Sequence, residues 1–427
     1  MKSFCLDRAG PVICAAISIV LVFANPPLAQ ENNCVSCHFD YSEMMEKSVH
    51  TSHQITCEKC HGGDPTAKES EAAKAPGTNF IGVPNKVQIA EMCGNCHADV
   101  ATMNFYNIPT DQLARYKTSA HGKRLFQEGD EKVAACSDCH GYHDVVAVGD
   151  SSSPVYPLNL PNTCNRCHGK EKLMTPYGHP VDILEKYTQS VHGKALFEKN
   201  DLSAANCAKC HGSHGAVPPG VKEIHNTCGK CHINEKKYFL ESPHGKISDG
   251  EKFSECLTCH GYHDVKKADL VIYKEKCVQC HESDSGALKQ GMGLLSMLEG
   301  AEKKYEEMKG LVQQASIDGI FIEPEEAKLQ RIRSSVIEMA PAQHTLSTTV
   351  VEQEYNNVVT LAEEISSSIQ KKRKALIWRK IGLIPLWIFI FIMCAALNNM
   401  YHHLKRLRNY QQFKRDQQDK QDKTKDE

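Results

Sequence analysis

The chain has 427 residues, and its 50 Lys and Arg against 52 Asp and Glu leave a formal net charge of −2. That balance gives no basic footprint for nucleic acid, so no nucleic-acid partner is expected, and it singles out no class of charged partner. Any reading must instead account for the 21 cysteines.

Residues 1–29 read as a secretory signal. Lys2 and Arg8 supply positive charge, Val12 to Ala24 is an apolar run of the right length, and small residues follow at Ala24 and Ala29, either of which suits cleavage. An uncleaved anchor is the other reading. Cys14 follows the bulky Ile13, which does not suit lipidation.

Residues 30–283 hold nine Cys-x-x-Cys-His motifs, and no Cys-x-x-Cys pair lacks the His. In chain order they are Cys34, Cys37 and His38; Cys57, Cys60 and His61; Cys93, Cys96 and His97; Cys136, Cys139 and His140; Cys164, Cys167 and His168; Cys207, Cys210 and His211; Cys228, Cys231 and His232; Cys256, Cys259 and His260; and Cys277, Cys280 and His281. The pattern is the attachment signature of haem c. The two thiols add to the porphyrin vinyl groups and the imidazole becomes an axial iron ligand. A zinc ribbon also uses Cys-x-x-Cys pairs, but zinc does not require a His directly after the second Cys at every site. The motifs use 18 of the 21 cysteines, leaving Cys5, Cys14 and Cys394 in apolar segments and no pair for a structural disulfide. Nine covalent haems are therefore the expected cofactors. They would staple the region and form its core, because the motifs crowd too closely for ordinary side-chain burial.

The spacing shows duplication. Cys93 to Cys164 is 71 residues, as are Cys136 to Cys207, His121 to His192 and His143 to His214. Ser119-Ala-His-Gly-Lys-Arg-Leu-Phe matches Ser190-Val-His-Gly-Lys-Ala-Leu-Phe. A shorter copy follows (Cys228, Ser242-Pro-His-Gly-Lys, Cys256, His263), and a degenerate copy precedes (Cys34, Ser48-Val-His, Cys57). The unit is a two-haem module: a motif, a lone His after a Ser, then a second motif. Four modules and the solitary Cys277 motif make nine. Ten further histidines lie in this region and are candidate distal ligands. His50, His121, His192 and His244 follow the module serines. His143, His214 and His263 come three residues after a motif His, too near to bind the same iron, and so would serve a neighbour. His53, His179 and His225 stand outside the repeat. Two imidazoles on one iron leave no place for substrate, so such a site passes electrons and usually has a low potential.

Residues 284–375 carry no Cys and read as helices. Leu288, Met292, Leu295, Leu298, Ala301, Tyr305, Met308, Val312 and Ala315 step by threes and fours, and Asp318-Gly319 ends that helix. Glu323-Pro324 opens a second, with Leu329, Ile332, Val336 and Met339 on one face, until Pro341 breaks or kinks it. Val351, Tyr355, Val358, Ala362, Ile365 and Ile369 mark a third. These faces suit mutual packing better than a cofactor box. His344 lies at the second junction and reads as a solvent or capping residue, with haem ligation as the alternative. Residues 376–400 read as a transmembrane helix. Ile381 to Leu397 lacks charge, Trp378, Trp387 and Tyr401 suit the interfaces, and basic residues flank both ends. The charge-rich tail, 401–427, would be cytoplasmic if the haems are outside.

The nine motifs, the Ser-x-His-Gly stretches and the Cys-His-Gly-Tyr-His-Asp-Val text at 139–145 and 259–265 resemble the periplasmic multihaem cytochromes c of respiratory bacteria. The resemblance covers residues 34–281 and is specific for haem c, not for one member. It implies a mostly α fold with much irregular loop: a haem-cored domain of two-haem modules, then a helical bundle or hairpin, then a transmembrane helix. It also implies closely packed haems acting as a wire, attachment in the periplasm, and a single-pass position in the inner membrane. Some relatives are enzymes of the hydroxylamine oxidoreductase or nitrite reductase type, and the reductases typically carry Cys-x-x-Cys-Lys, which is absent here. The expected function is therefore electron relay in anaerobic respiration, from a membrane quinol-oxidising complex or quinol itself to other redox proteins. An oxidoreductase with one open haem and a haem-bearing anchor subunit of a larger complex stand as alternatives. In enzyme relatives a helical extension mediates oligomer contacts, so an oligomer through 284–375 is also possible.

Overall fold

A computed structural model of the chain describes residues 32–220, 223–247, 253–267 and 269–423. The expected signal at 1–29 and the last residues of the tail lie outside the described residues. Among those described, the fold is mostly helical and has no strand. The chain divides into two compact units: one runs to Leu184 and takes in Lys199–Pro218, the other comprises Glu185–Glu198 and everything from Pro219.

The first unit holds six motifs on short helices, of which Lys86–His97 is the longest at 12 residues. Helices of such length do not persist alone in water, and the side-chain core available to fix them is small. Its one buried apolar cluster among the described residues is Ala90, Tyr116, Leu125 and Val133. Something other than apolar side chains must hold this unit together.

The second unit contrasts with it. Three long helices, Gly286–Ile317, Glu323–Ala342 and Thr348–Gly382, pack on one another. Ser285 caps the first by accepting from the Leu288 N–H at 3.2 Å. Asp318 and the left-handed Gly319 (φ 77°) turn the chain, and Pro324 sits in the first turn of the second helix, where its missing N–H costs nothing. Pro341 falls in that helix's last turn, so the chain leaves it through a short turn at Gln343–Thr345. The shared core includes Leu294, Leu298, Ile332, Met339, Val358, Ile365 and Ile369. The last motifs join it: Tyr273 is buried in this core, and its hydroxyl donates to Gln343 Oε1 at 2.9 Å.

Glu325 is the one acid buried in the bundle, 2% exposed. Lys372 Nζ and Ser368 Oγ both donate to its carboxylate, at 2.7 and 2.6 Å. Burial works against ionisation, but these two donors outweigh it and hold the carboxyl below its usual range. At the same end, Arg373 and Asp318 pair at 2.9 Å.

Beyond Gly382 the chain continues as Ile384–Lys423, with Pro385 in its first turn. Here the apolar side chains face outward: Trp387 is 66% and Phe391 75% exposed. Such a surface is costly in water. The helix is long and apolar enough to cross a membrane, and none of its apolar window is buried.

The Glu325 pair gives a stability prediction. Lys372→Met leaves a buried carboxylate short of its cation and should cost about 2–3 kcal/mol. Because the folded carboxyl is held low, its stabilisation is complete at neutral pH and disappears as pH falls below the ordinary carboxylate range. Thermal unfolding of wild type and variant at pH 7 and at acid pH measures both. An unchanged melting temperature for the variant at pH 7 would refute the assignment.

Candidate functional site

The motifs fall into two structural kinds. The second motif of each module forms its own short helix: Cys57–His61, Cys136–His140, Cys207–His211 and Cys256–His260. Each ends at a glycine, Gly62, Gly141, Gly212 or Gly261, with φ of 68, 82, 85 and 75° and ψ near 180°. That region of backbone space is essentially open to glycine alone. The turn sends the following segment back across the motif, so that His143, three residues beyond His140, leaves its own motif behind. First motifs sit differently. Those of the second and third modules end longer helices, at His97 and His168.

The lone histidines sit on a repeated corner. Ser119 Oγ donates to the Tyr116 carbonyl at 2.6 Å and accepts from the Gly122 N–H at 2.9 Å. Ser190 does the same with Tyr187 and Gly193, at 2.6 and 3.0 Å. Ser242 does so with Phe239 and Gly245, at 2.6 and 3.0 Å. The serine thus ends one helix and caps the next element, and the His is two residues on. The glycine lets the two elements touch: a Cβ at Gly122, Gly193 or Gly245 would come within 1.9, 2.0 or 2.2 Å of the carbonyl oxygen of Tyr116, Tyr187 or Phe239. Ser48 keeps the corner without the glycine, its Oγ accepting from the His50 N–H at 3.3 Å.

These corners lock onto the next module. The Val49 N–H donates to the Val145 carbonyl at 2.7 Å, Ala120 to Ala216 at 2.9 Å, and Val191 to Val265 at 2.8 Å. In each case the donor follows the module serine and the acceptor follows the next module's second motif.

The lock sets imidazoles face to face. His50 stands 6.1 Å from His97, His121 6.0 Å from His168, His192 6.3 Å from His232 and His244 6.0 Å from His281, between ring centres. In all four, the lone His of one module meets the first motif of the next. The second motifs follow a parallel rule. His61 is 6.1 Å from His143, and His140 is 6.0 Å from His214. His260, in the last module, is 6.3 Å from His344. Two metal–imidazole bonds of about 2 Å each, plus the reach from each nitrogen to its ring centre, add to about 6 Å. The gap therefore fits one metal ion between two rings.

Proton positions also suit ligation. His61, His211 and His344 place Nδ1 at 2.9, 3.2 and 3.0 Å from the carbonyls of Gly82, Val217 and Pro341. A carbonyl only accepts, so Nδ1 carries the proton and Nε2 is left with its lone pair. Burial lowers the pKa of His50, His97, His121, His140, His168, His192, His214, His244 and His260, which favours the neutral, ligating form.

The thiols of each module converge as well. The first cysteines of its two motifs hydrogen-bond: Cys34 with Cys57, Cys93 with Cys136, Cys164 with Cys207, and Cys228 with Cys256. Between modules, Cys60 and Cys96, Cys139 and Cys164, and Cys259 and Cys277 lie close enough to interact electrostatically. Within each unit the attachment points therefore succeed one another in chain order. Among the described residues no group of three or more His, Cys, Asp and Glu converges as a metal cage would.

The three histidines outside the repeat differ. His225 Nδ1 pairs with Glu255 at 2.8 Å, and the same carboxylate accepts the His225 backbone N–H. His53 packs its ring against Tyr106 at 4.8 Å. The exposed His179 lies 6.3 Å from His168, which already faces His121. Sequence reasoning gave His344 a capping role. Its place opposite His260 is a contact across 84 residues that no local pattern announces. The serines and glycines of the corner were legible as text, but their function as a hinge was not.

Comparisons of the chain with protein-family models, with curated proteins and with solved structures found no match.

Two glycine variants test the geometry. Gly193→Ala should force the corner open and destabilise the fold by about 1–3 kcal/mol or more. Gly261→Ala should cost about 1–3 kcal/mol through its backbone conformation. Gly149→Ala, with nothing within 4 Å and no positive φ, is the control and should be neutral. Equal melting temperatures for all three would contradict the account.

Proposed function

We propose that the protein is a nonahaem c-type cytochrome that relays electrons, tethered in the inner membrane with its haems in the periplasm. The carrying observation is the set of seven imidazole pairs, 6.0 to 6.3 Å between ring centres, each including a motif His directly after its two cysteines. When bound, haem c would supply an iron that changes charge by one electron while both axial positions stay filled. The motif cysteines would hold the porphyrins, and His38, His61, His97, His140, His168, His211, His232, His260 and His281 would be the proximal ligands. His50, His121, His143, His192, His214, His244 and His344 would be the distal ones. The carbonyls on Nδ1 of His61 and His344 would keep those rings aimed. By repeat position, His263 is the counterpart of His143 and His214.

Two further observations support this reading over zinc. A structural zinc needs four convergent ligands, whereas these imidazoles come in twos. The first unit also has very little apolar core, as expected where a large flat prosthetic group supplies the buried surface.

The bundle bears on the donor. From His344 to Arg373 the chain rises along Thr348–Gly382, a span of about 40 Å at 1.5 Å per residue. The His260–His344 pair therefore stands well away from where the apolar segment begins. This favours donation by a protein over quinol meeting that site inside the bilayer.

The reading predicts nine covalent haems per chain, by intact mass and by the alkaline pyridine spectrum. A chain carrying zinc and no haem would sink it. His121→Met and His192→Met should each alter one haem, raising its potential, since a His/Met pair lies higher than a bis-His one. If neither variant changes the spectrum or any potential, the pairing scheme is wrong.

A further inference from the structure

The pairing rule has a direction, and a directed array has two ends. Each module's lone His serves the first motif of the module that follows: His50 to His97, His121 to His168, His192 to His232, His244 to His281. The first motif of the first module has no module before it. Its imidazole, His38, is the position that the rule leaves without a donor.

The surroundings of His38 agree. Among the described residues no second imidazole stands opposite it, and the ring beside it is Tyr41, 6.4 Å away. Tyr41 follows His38 by three residues in the same short turn, Phe39–Tyr41, so it is held on the motif's own side. Its ring also packs edge-on against His143 at 4.6 Å, which engages it elsewhere. All 22 histidines belong to the described residues, so none is held back in the segment before residue 32. Those outside the pairs are accounted for: His53 stacks on Tyr106, His225 is bound by Glu255, His179 lies against His168, and His402 and His403 sit in the helix after the apolar segment. His38 is exposed, as are Cys37 and Phe39, the latter 68%. By contrast, most of the paired motif imidazoles are half-buried.

The opposite end of the array shows how an end is closed when the fold closes it. The last second motif, His260, has no fifth module after it, and the bundle supplies His344 at 6.3 Å in place of one. No such substitute reaches His38.

We propose that the iron held by His38 keeps an exchangeable sixth position, open to solvent, that takes a small inner-sphere ligand: a small anion when ferric, a neutral diatomic when ferrous. This inference rests on the haem reading above. It makes the first haem the one place in the chain where electrons could pass to a molecule bound directly on iron, while the paired sites pass them only through space.

The test uses the full-length, membrane-extracted protein, with cyanide for the oxidised state and carbon monoxide for the reduced state as probes. Haem count comes first: fewer than nine haems counts against the relay reading, not against this one. With nine haems present, one equivalent of each probe should bind per chain, and the oxidised protein should show one high-spin ferric signal that cyanide abolishes. Nine low-spin haems and no probe binding would overturn the proposal, whether Met44, Met45 or a residue before Asn32 fills the position. The double variant Cys34→Ser, Cys37→Ser then locates the site. Eight haems without probe binding is the expected result, and eight haems that still bind one equivalent would place the open site elsewhere. The wild-type titration decides the matter even if that variant fails to mature.

Discussion

The structure depends on one backbone hydrogen bond made three times. The residue after each module serine gives its N–H to a carbonyl behind the next module's second motif, at 2.7 to 2.9 Å. A single such bond is worth only about 1 kcal/mol net. Its importance lies in what it aligns. With the corner fixed at one end by a buried serine and a glycine contact, and with the motif fixed at the other by a glycine in a conformation few residues reach, the bond sets a donor histidine against an acceptor motif. Each module is thereby incomplete without its neighbour. The array can grow by duplication without new design, because every copy carries both the donor for the next site and the acceptor for the last.

That arrangement also explains why the first unit can do with so little core. Short helices and a four-residue apolar cluster would not offset the conformational entropy of ordering so long a chain. Covalent attachment at paired thiols and a metal between paired rings would each cross-link segments far apart in sequence, restricting the unfolded chain as disulfides do. The bundle of the second unit needs none of this. Its buried cluster of 18 residues is an ordinary apolar core, and Glu325 is the one acid it has to accommodate.

The sequence disclosed these two parts unequally. The three bundle helices were legible to within a few residues, because apolar side chains at threes and fours, with Gly319, Pro324 and Pro341 as punctuation, report directly on burial. The motifs and their period were legible because attachment chemistry is written in contiguous residues. What could not be read was the register. Nothing in the text near His50 says that it faces His97 and not His38 or His61. The distance is fixed by Val145, in another module, through its carbonyl, and carbonyls leave no trace in a sequence. His344 was hidden for the same reason: it replaces a repeat member from outside the repeat, so periodicity could not find it. His225 shows the opposite error that counting invites. As a spare histidine it looks like a ligand candidate, but Glu255, itself the residue before Cys256, accepts from both its ring and its backbone N–H.

A directed array also imposes an order on partners. Its terminal pair in the second unit is made with the bundle, through His344, and the bundle runs from there to Arg373, where Asp318 ties the far turn to the same level. A rigid set of three helices of that length holds the His260–His344 site at a fixed remove from the apolar segment, and tilt of a membrane helix, typically about 20°, shortens that remove only slightly. An attachment meant merely to keep the protein at the membrane would not need this. A flexible linker would serve, and would cost less in ordered residues. A packed, ion-paired spacer is useful when the height of a redox site above the membrane matters, because the partner that meets it is itself of fixed height. On the relay reading, then, the bundle is part of the recognition of that partner as well as an anchor, and its length should be as constrained as the spacing of the motifs.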